Sequence, residues 1–523
     1  MIDALNEKQP RRIVLQILCM FLILSVFSLL LFKYFGRVQA VEVENPRFVK
    51  IDYADLEKSA NAIEKNYSLS DKTAENVFVL NYHVVTKNAP SDEYEISYDQ
   101  FKENMFALKS QGYQTVSLQE FYLFMRGEKD LPDKSFLLTF DDGAKATYYN
   151  ADPVLRALNY TAVMFVITGA SLDGMQRAYY LNESELHQAQ QTGRWELESH
   201  TDMSHFRLPI SAEGEIGPAL TNKLWLANES RLETDEEYYF RVSEDLRKAD
   251  NLLEHNFNKT IIGFALPFGD FGEQRSNYPE AHSILYNLTT QMYKLVFYQF
   301  SPAKTRYFRA NYNDFESDSY VIVRLSVDSL RTPEQLLKEI EASRALDLPY
   351  TEEYKNSDRW PTISGEMSSD KDRILLLEKK DDNSNIRLAY LDGSYLWKDY
   401  TYSLQLDSSA ASSVLLISRL QSSADYVTCR YGNDGVVRII GVDKNIQTKI
   451  KEDSFSENLT SGTLLSMSVS GSNVRCLVNG REILSTEVPN MPAYGGIGVR
   501  AEGFESEDKT FAFGNISIVG ENL

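Results

Sequence analysis

The chain has 523 residues, 43% of them hydrophobic, and a formal net charge of -21. That length exceeds one core, so two or three folded units are expected. The acidic balance argues against nucleic acid as a partner, and against an anionic membrane surface for the folded part, because both call for basic patches.

The run from Ile13 to Phe32 carries no charge. At 1.5 Å per helical residue it spans about 30 Å, the thickness of a bilayer core. Lys8, Arg11 and Arg12 precede it, which predicts a cytoplasmic tail over 1–12, a transmembrane anchor over 13–32 and everything later outside. The rival is a signal peptide cleaved after Val38-Gln39-Ala40, which would make the protein secreted. The apolar run is longer than the usual signal core of about 7–15 residues, which favours the anchor. Cys19 sits in this run as apolar packing. Residues 41–73 are polar and helix-prone and read as a stalk.

From residue 74 to about 352, strand and helix patterns alternate. Strands are expected at Val77–Leu80, Thr115–Leu118, Ser135–Phe140, Ala162–Ile167, Ile261–Ala265, Tyr293–Phe297 and Val321–Leu325. Helices are expected over Tyr98–Lys109, closed by Gly112, and over Pro153–Leu158, Glu236–Phe257 and Pro333–Leu346. Such alternation predicts a parallel sheet, and its length suits a β/α barrel. A linker follows at 353–369, around Trp360, Pro361 and Gly365. Residues 370–523 show short alternating strands, such as Tyr400–Leu406, Ser413–Ser418, Leu464–Val469 and Val474–Val478, the pattern of an all-β sandwich. Cys429 and Cys476 lie in such segments, either as a disulfide or as two buried thiols.

The chemistry concentrates in the barrel. The apolar run Phe136-Leu-Leu-Thr-Phe-Asp-Asp-Gly143 ends in two adjacent carboxylates, which repel each other and do not ordinarily close a strand. Downstream, Glu198-Ser-His200-Thr-Asp-Met-Ser-His205 holds two of the six histidines. On a helix, residues five apart diverge by about 140°, so His200 and His205 are expected on a loop that turns both inward. One Asp with two His is a common set of protein ligands for catalytic zinc, with a position left for water. His83 closes the strand Val79-Leu-Asn-Tyr-His83. In β/α barrels the carboxyl ends of the strands carry the site. The plainer readings are a capped turn for Asp-Asp-Gly and a satisfied histidine for His83 alone.

Thr139-Phe-Asp-Asp-Gly143 resembles the first motif of polysaccharide deacetylases, the NodB-homology group or carbohydrate esterase family four. Ser199-His-Thr-Asp-Met-Ser-His205 resembles their second motif, and Phe264-Ala-Leu-Pro-Phe-Gly-Asp270 the third. Leu80-Asn-Tyr-His83 resembles the N-terminal segment of the circularly permuted poly-N-acetylglucosamine deacetylases. The resemblance covers about residues 76–350. It implies that Asp142, His200 and His205 hold a divalent metal, Zn²⁺ first, with Co²⁺, Ni²⁺ or Fe²⁺ as alternatives. It also implies Asp141 as general base, His83 as general acid, and Pro267, Phe268 and Gly269 as the loop that offers an amide to the oxyanion.

One departure stands out. Many members carry an arginine two residues before the third-motif proline, where this chain has Ala265. Arg324 is a candidate replacement, with a surface salt bridge as its plainer role. Trp195 and Trp225 are candidates for a sugar cleft or for the core. The C-terminal region resembles concanavalin-like jelly rolls of the laminin-G type, with sugar binding or a structural role equally open; Asp407 and Asn433 lie near loops where some such domains hold calcium and are not assigned as ligands.

The fold class is therefore multidomain: an α/β deacetylase domain built as a distorted β/α barrel, an all-β jelly roll, and an N-terminal transmembrane helix. The implied partner is an extracellular acetylated polysaccharide, and the implied activity removal of N-acetyl groups from it at the cell surface. The alternatives are an O-acetyl esterase on another glycan and an inactive glycan-binding protein. The oligomeric state is left open.

Overall fold

A computed structural model describes residues 49, 51–64, 72–175, 177–272, 276–300, 321–327, 330, 332–354, 359–370, 372–377, 386–409, 411–422, 425–443, 446–457, 459–504 and 510–521. The expected anchor at 13–32 lies outside them. Among the described residues, no helix is long and apolar enough to cross a membrane.

Strands with both faces covered read as continuous apolar runs. Phe78–Tyr82, Ser135–Phe140 and Ala162–Val166 are buried at every position. Seven barrel strands are numbered in chain order: β1 (Phe78–Tyr82), β2 (Ser135–Phe140), β3 (Ala162–Val166), β4 (Trp195–Ser199), β5 (Gly263–Ala265), β6 (Leu295–Phe300) and β7 (Val321–Ser326). Each pairs in parallel with the next. β7 returns to β1 through Leu80↔Leu325 and Asn81↔Ser326, which closes the ring. The short strand Gln114–Thr115 pairs with the start of β2.

Side-chain caps fix where several helices begin. Ser97 with Gln100, Ser117 with Glu120, Asn182 with Glu185 and Thr234 with Glu237 form reciprocal capping boxes, each satisfying two otherwise orphaned donors. The expected strand at 115–118 is corrected on this ground: only Gln114–Thr115 is extended, and Ser117 caps a helix over Leu118–Met125. The helix expected from Pro153 begins earlier, at Lys145, and carries Pro153 within it. In the stretch read as a stalk, Tyr53–Glu64 is helical, with Leu56 and Ala60 buried. It packs on the helices Tyr98–Ser110 and Lys145–Leu158, so this part is barrel wall.

The C-terminal region is a sandwich of two antiparallel sheets. One runs in the spatial order Glu366–Asp370, Arg373–Leu377, Phe511–Gly520, Tyr400–Ser409, Leu464–Ser470, Asn473–Val478 and Arg481–Glu487. The other runs Thr362–Ser364, Ile386–Tyr390, Gly496–Phe504, Ala411–Ser422, Asp425–Gly432, Val436–Asp443 and Ile446–Ser454. Leu404, Met467 and Phe513 from the first meet Leu416, Ile439 and Val499 from the second in one core. Cys429 and Cys476 form a disulfide between the sheets, with their Cα atoms 5.7 Å apart. Residues expected as a linker belong to this unit: Trp360 is fully buried, its indole N–H donating to Glu352 at 2.8 Å.

Candidate active site

Three of the strand-end segments turn on residues held in the left-handed region: Asp142 (φ 73°), Thr201 (φ 69°) and Phe268 (φ 61°). Non-glycine residues rarely adopt this conformation, and surrounding structure must hold them there. The turn after β2 aims Asp141 and Asp142 in different directions. The turn after β4 folds the loop Thr201–Ser204 so that His205 comes back toward His200.

The carboxylate of Asp142 meets both imidazoles. Its Oδ1 lies 3.3 Å from His205 Nε2 and 3.7 Å from His200 Nε2. The three ligand atoms fall within 4.8 Å of one another. Four donors at about 2.0–2.2 Å around tetrahedral zinc stand roughly 3.4 Å apart, so the spacing fits. His200 Nδ1 is 2.8 Å from the Ala265 carbonyl, an arrangement that places the proton on Nδ1 and leaves the Nε2 lone pair toward Asp142. Burial pushes both histidines down, each to about 4, against the opposing pull of Asp141. They are therefore neutral near pH 7 and able to donate lone pairs.

Asp141 has a separate setting. Its carboxylate accepts Arg324 Nη1 at 2.6 Å and Nη2 at 2.8 Å, one nitrogen to each oxygen. Asn81 Nδ2 donates to Oδ2 at 3.2 Å, and His83 Nε2 stands 3.8 Å from the same oxygen. Burial alone would raise the Asp141 pKa; Arg324 and His200 outweigh it and hold the group well below the usual carboxylate range. The plainer reading of Arg324 as a surface salt bridge is corrected. Its side chain is 0% exposed, bonded also to Asn81 Oδ1 and Thr139 Oγ1, with the rings of Phe165 and Phe297 nearby. The arginine missing at Ala265 is thus supplied from β7, while the Ala265 backbone orients a histidine.

Around this centre, the His83 ring meets Tyr94 edge to face at 5.1 Å. Phe268 lies 4.9 Å from the His205 ring and 4.7 Å from the Arg207 guanidinium. Pro267-Phe-Gly269 forms a single turn against β6, and a Cβ on Gly269 would come within 2.9 Å of Gln299 Cβ. Asp141, Asp142, His83, His200, His205, Arg324 and the Pro267-Phe-Gly269 turn all lie at this end of the barrel, and the other sequence candidates do not. Trp195 is core, against Phe140 and Tyr148, with its N–H on Asp152, and Trp225 lies in a small hairpin with Leu232 opposite it. Asp407 is paired with Arg373, and the Asn433 amide donates to the Ala411 carbonyl; neither contributes to a ligand cluster among the described residues. Sequence reasoning missed Asn81 as a partner of Asp141. It also missed Thr168, Gly169 and Asp245, which hold the histidine loop.

Residues 128–284 match the family model described as Polysaccharide deacetylase, and the chain contains a polysaccharide deacetylase domain. Over 204 residues, 36% of this chain, it is 28% identical to the poly-beta-1,6-N-acetyl-D-glucosamine N-deacetylase of Escherichia coli (strain K12) and covers 30% of that protein. The same share of this chain is 28% identical to the enzyme of that name from Staphylococcus aureus (strain MRSA252), covering 63% of it. The chain thus spans less than two thirds of either relative. A solved de-N-acetylase from Aggregatibacter actinomycetemcomitans superposes with a TM-score of 0.41 at 22% identity, over 50% of this chain and 96% of that one.

Proposed function

We propose that this protein is a metal-dependent N-deacetylase acting on an extracellular polymer of N-acetylglucosamine. The observation that carries the reading is the pairing of two differently equipped carboxylates at one strand end. Asp142 faces two neutral imidazoles, and Asp141 faces Arg324 and His83. The relatives named for poly-N-acetylglucosamine support the substrate class.

Asp142, His200 and His205 would hold the metal, and the nitrogen-rich set favours Zn²⁺. When bound, it polarises the acetamide carbonyl and the attacking water. Asp141, kept ionised and fixed in orientation by Arg324, takes the proton from that water as its oxygen adds to the acetyl carbon. The Phe268 amide donates to the oxygen that gains charge. His83 gives a proton to the sugar nitrogen as the C–N bond breaks, releasing acetate and a free amine. Anchoring through residues 13–32, with the folded units outside the cell, completes the proposal. The Cys429–Cys476 disulfide supports it, since disulfides persist in oxidising compartments.

The decisive measurement is acetate release by the purified chain from oligomers of β-1,6-linked N-acetylglucosamine, beside O-acetylated glycans as comparison. Release confined to the O-acetyl substrates would make the protein an esterase. His83→Gln should lower amide hydrolysis by about 100-fold or more. It should spare an activated aryl acetate, whose leaving group departs without protonation. Equal losses on both substrates would remove His83 as the acid.

A further inference from the structure

His200 and His205 can share one ion only if the residues between them reverse direction, and that turn is held from outside by groups that touch no ligand atom. The helix Asp235–Phe257 runs beside it. From this helix, the Asp245 carboxylate accepts the Asp202 amide at 3.0 Å on one oxygen and the Met203 amide at 2.8 Å on the other. Asp202 in turn accepts the Thr168 hydroxyl at 2.8 Å and Lys248 Nζ at 2.5 Å. On the far side, Thr168 N donates to the Thr201 carbonyl and Gly169 N to the Asp202 carbonyl, each at 3.1 Å. A Cβ on Gly169 would sit 2.5 Å from that carbonyl oxygen, so the approach demands glycine.

Resting on the metal reading above, we propose that Asp245 is the positioning residue that sets the separation of the two histidine ligands. Lys248, through Asp202, is its auxiliary. A surface loop needs no such grip. Here two consecutive backbone amides, of Asp202 and Met203, donate to the two oxygens of one carboxylate, and the backbone is pinned from both sides while Thr201 is forced to a positive φ. β-Branched residues avoid that conformation, so without the grip Thr201 relaxes and His205 swings away from Asp142. Asp245 thereby acts on metal affinity and geometry through the loop.

The test uses the full chain, freed of metal and titrated with Zn²⁺ against a chromophoric chelator, with the visible spectrum of the Co²⁺ form as a second readout. Asp245→Asn keeps the shape but turns an N–H₂ against one of the two amides. It should weaken Zn²⁺ about 10- to 100-fold, the range for groups that orient ligands. It should also change the Co²⁺ absorption while the far-ultraviolet circular dichroism stays that of wild type. Lys248→Met, at a side chain 61% exposed, cannot cost the fold and should weaken Zn²⁺ about threefold, the worth of a half-exposed ion pair. A folded Asp245→Asn chain with wild-type Zn²⁺ affinity and an unchanged Co²⁺ spectrum overturns the inference. If that variant does not fold, an unchanged affinity in Lys248→Met overturns it instead. A wild-type chain that binds neither ion overturns the metal reading itself, which is a different result from a wild type that binds and variants that bind equally well.

Discussion

In the barrel, one cluster of buried charge stands at an end of the ring, where Asp141, Arg324, His200 and His83 are within reach of one another. In the sandwich, the fully buried Arg387 donates to the Ile386 carbonyl, and the fully buried Arg419 donates to the Trp397 carbonyl and, at 3.4 Å, to the part-exposed Asp399 carboxylate. The sandwich otherwise relies on an apolar core that runs between its sheets and on one disulfide. The contrast separates two uses of buried polarity. Dispersed, and spent largely on main chain, it supports a fold. Gathered and paired side chain to side chain at the strand ends, it is costly to desolvate and is arranged for reaction.

That contrast can be broken by changing one region and reading both. Asp141→Asn should lower acetate release by about 1,000-fold or more, the scale expected for a proton-transfer group, with no movement of the sandwich unfolding transition. Retained release would sink the assignment of the base. Arg324→Met leaves Asp141 buried without its cation, a loss of about 3–5 kcal/mol for a broken buried pair. Denaturant unfolding should show that loss in the barrel alone. Reducing the Cys429–Cys476 bond, which closes a loop of sequence separation 47, should cost the sandwich about 4 kcal/mol. Acetate release should persist through that reduction; joint loss would mean that the two regions are one cooperative unit.

The smallest effect concerns Asp250, which accepts the Tyr293 hydroxyl at 2.8 Å. Burial raises its pKa to about 7, helped by the nearby charges of Glu254 and Glu198 and opposed by the hydrogen bonds from Tyr293 and Ser199. The unfolded value is about 3.9. Between these values the folded chain binds the extra proton, so its contribution to stability is complete below about pH 4 and is lost as the pH rises through about 7. Asp250→Asn should therefore melt like wild type near pH 4 and several degrees higher at pH 8. An equal difference at both pH values would exclude titration of Asp250 as the cause.

The strand ends were the legible part of the sequence. Asp141, Asp142 and His83 close apolar runs, and the five-residue spacing of His200 and His205 required a loop. Arg324 was harder, because a cation in a strand ordinarily marks a solvent face. The signal was its neighbours: apart from Arg324 itself, Val321-Ile-Val-Arg-Leu325 is apolar, and a strand covered on both faces leaves a guanidinium only an internal partner. The helix Leu118–Met125 was hidden by aromatic residues with strand preference, although Ser117 and Glu120 spelled its cap. Trp360 looked like linker because Pro361 and the polar residues around it dominate the local pattern; its burial depends on Glu352 and Phe513, the latter far away in sequence. The grip of Asp245 on the histidine loop could not be read locally either, since its partners lie more than forty residues earlier.

The closure of β7 onto β1 has a consequence for how the protein comes into being. The three candidate metal ligands have all been synthesised once residue 205 is made, yet the arginine that holds Asp141 arrives only at residue 324, on the strand that seals the ring against Asn81. A nascent chain can therefore carry its candidate ligands for more than a hundred residues of synthesis before the arginine that fixes Asp141 is made. Under the mechanism proposed above, competence would begin with the last strand, and a chain that ends before it would leave Asp141 without its guanidinium partner.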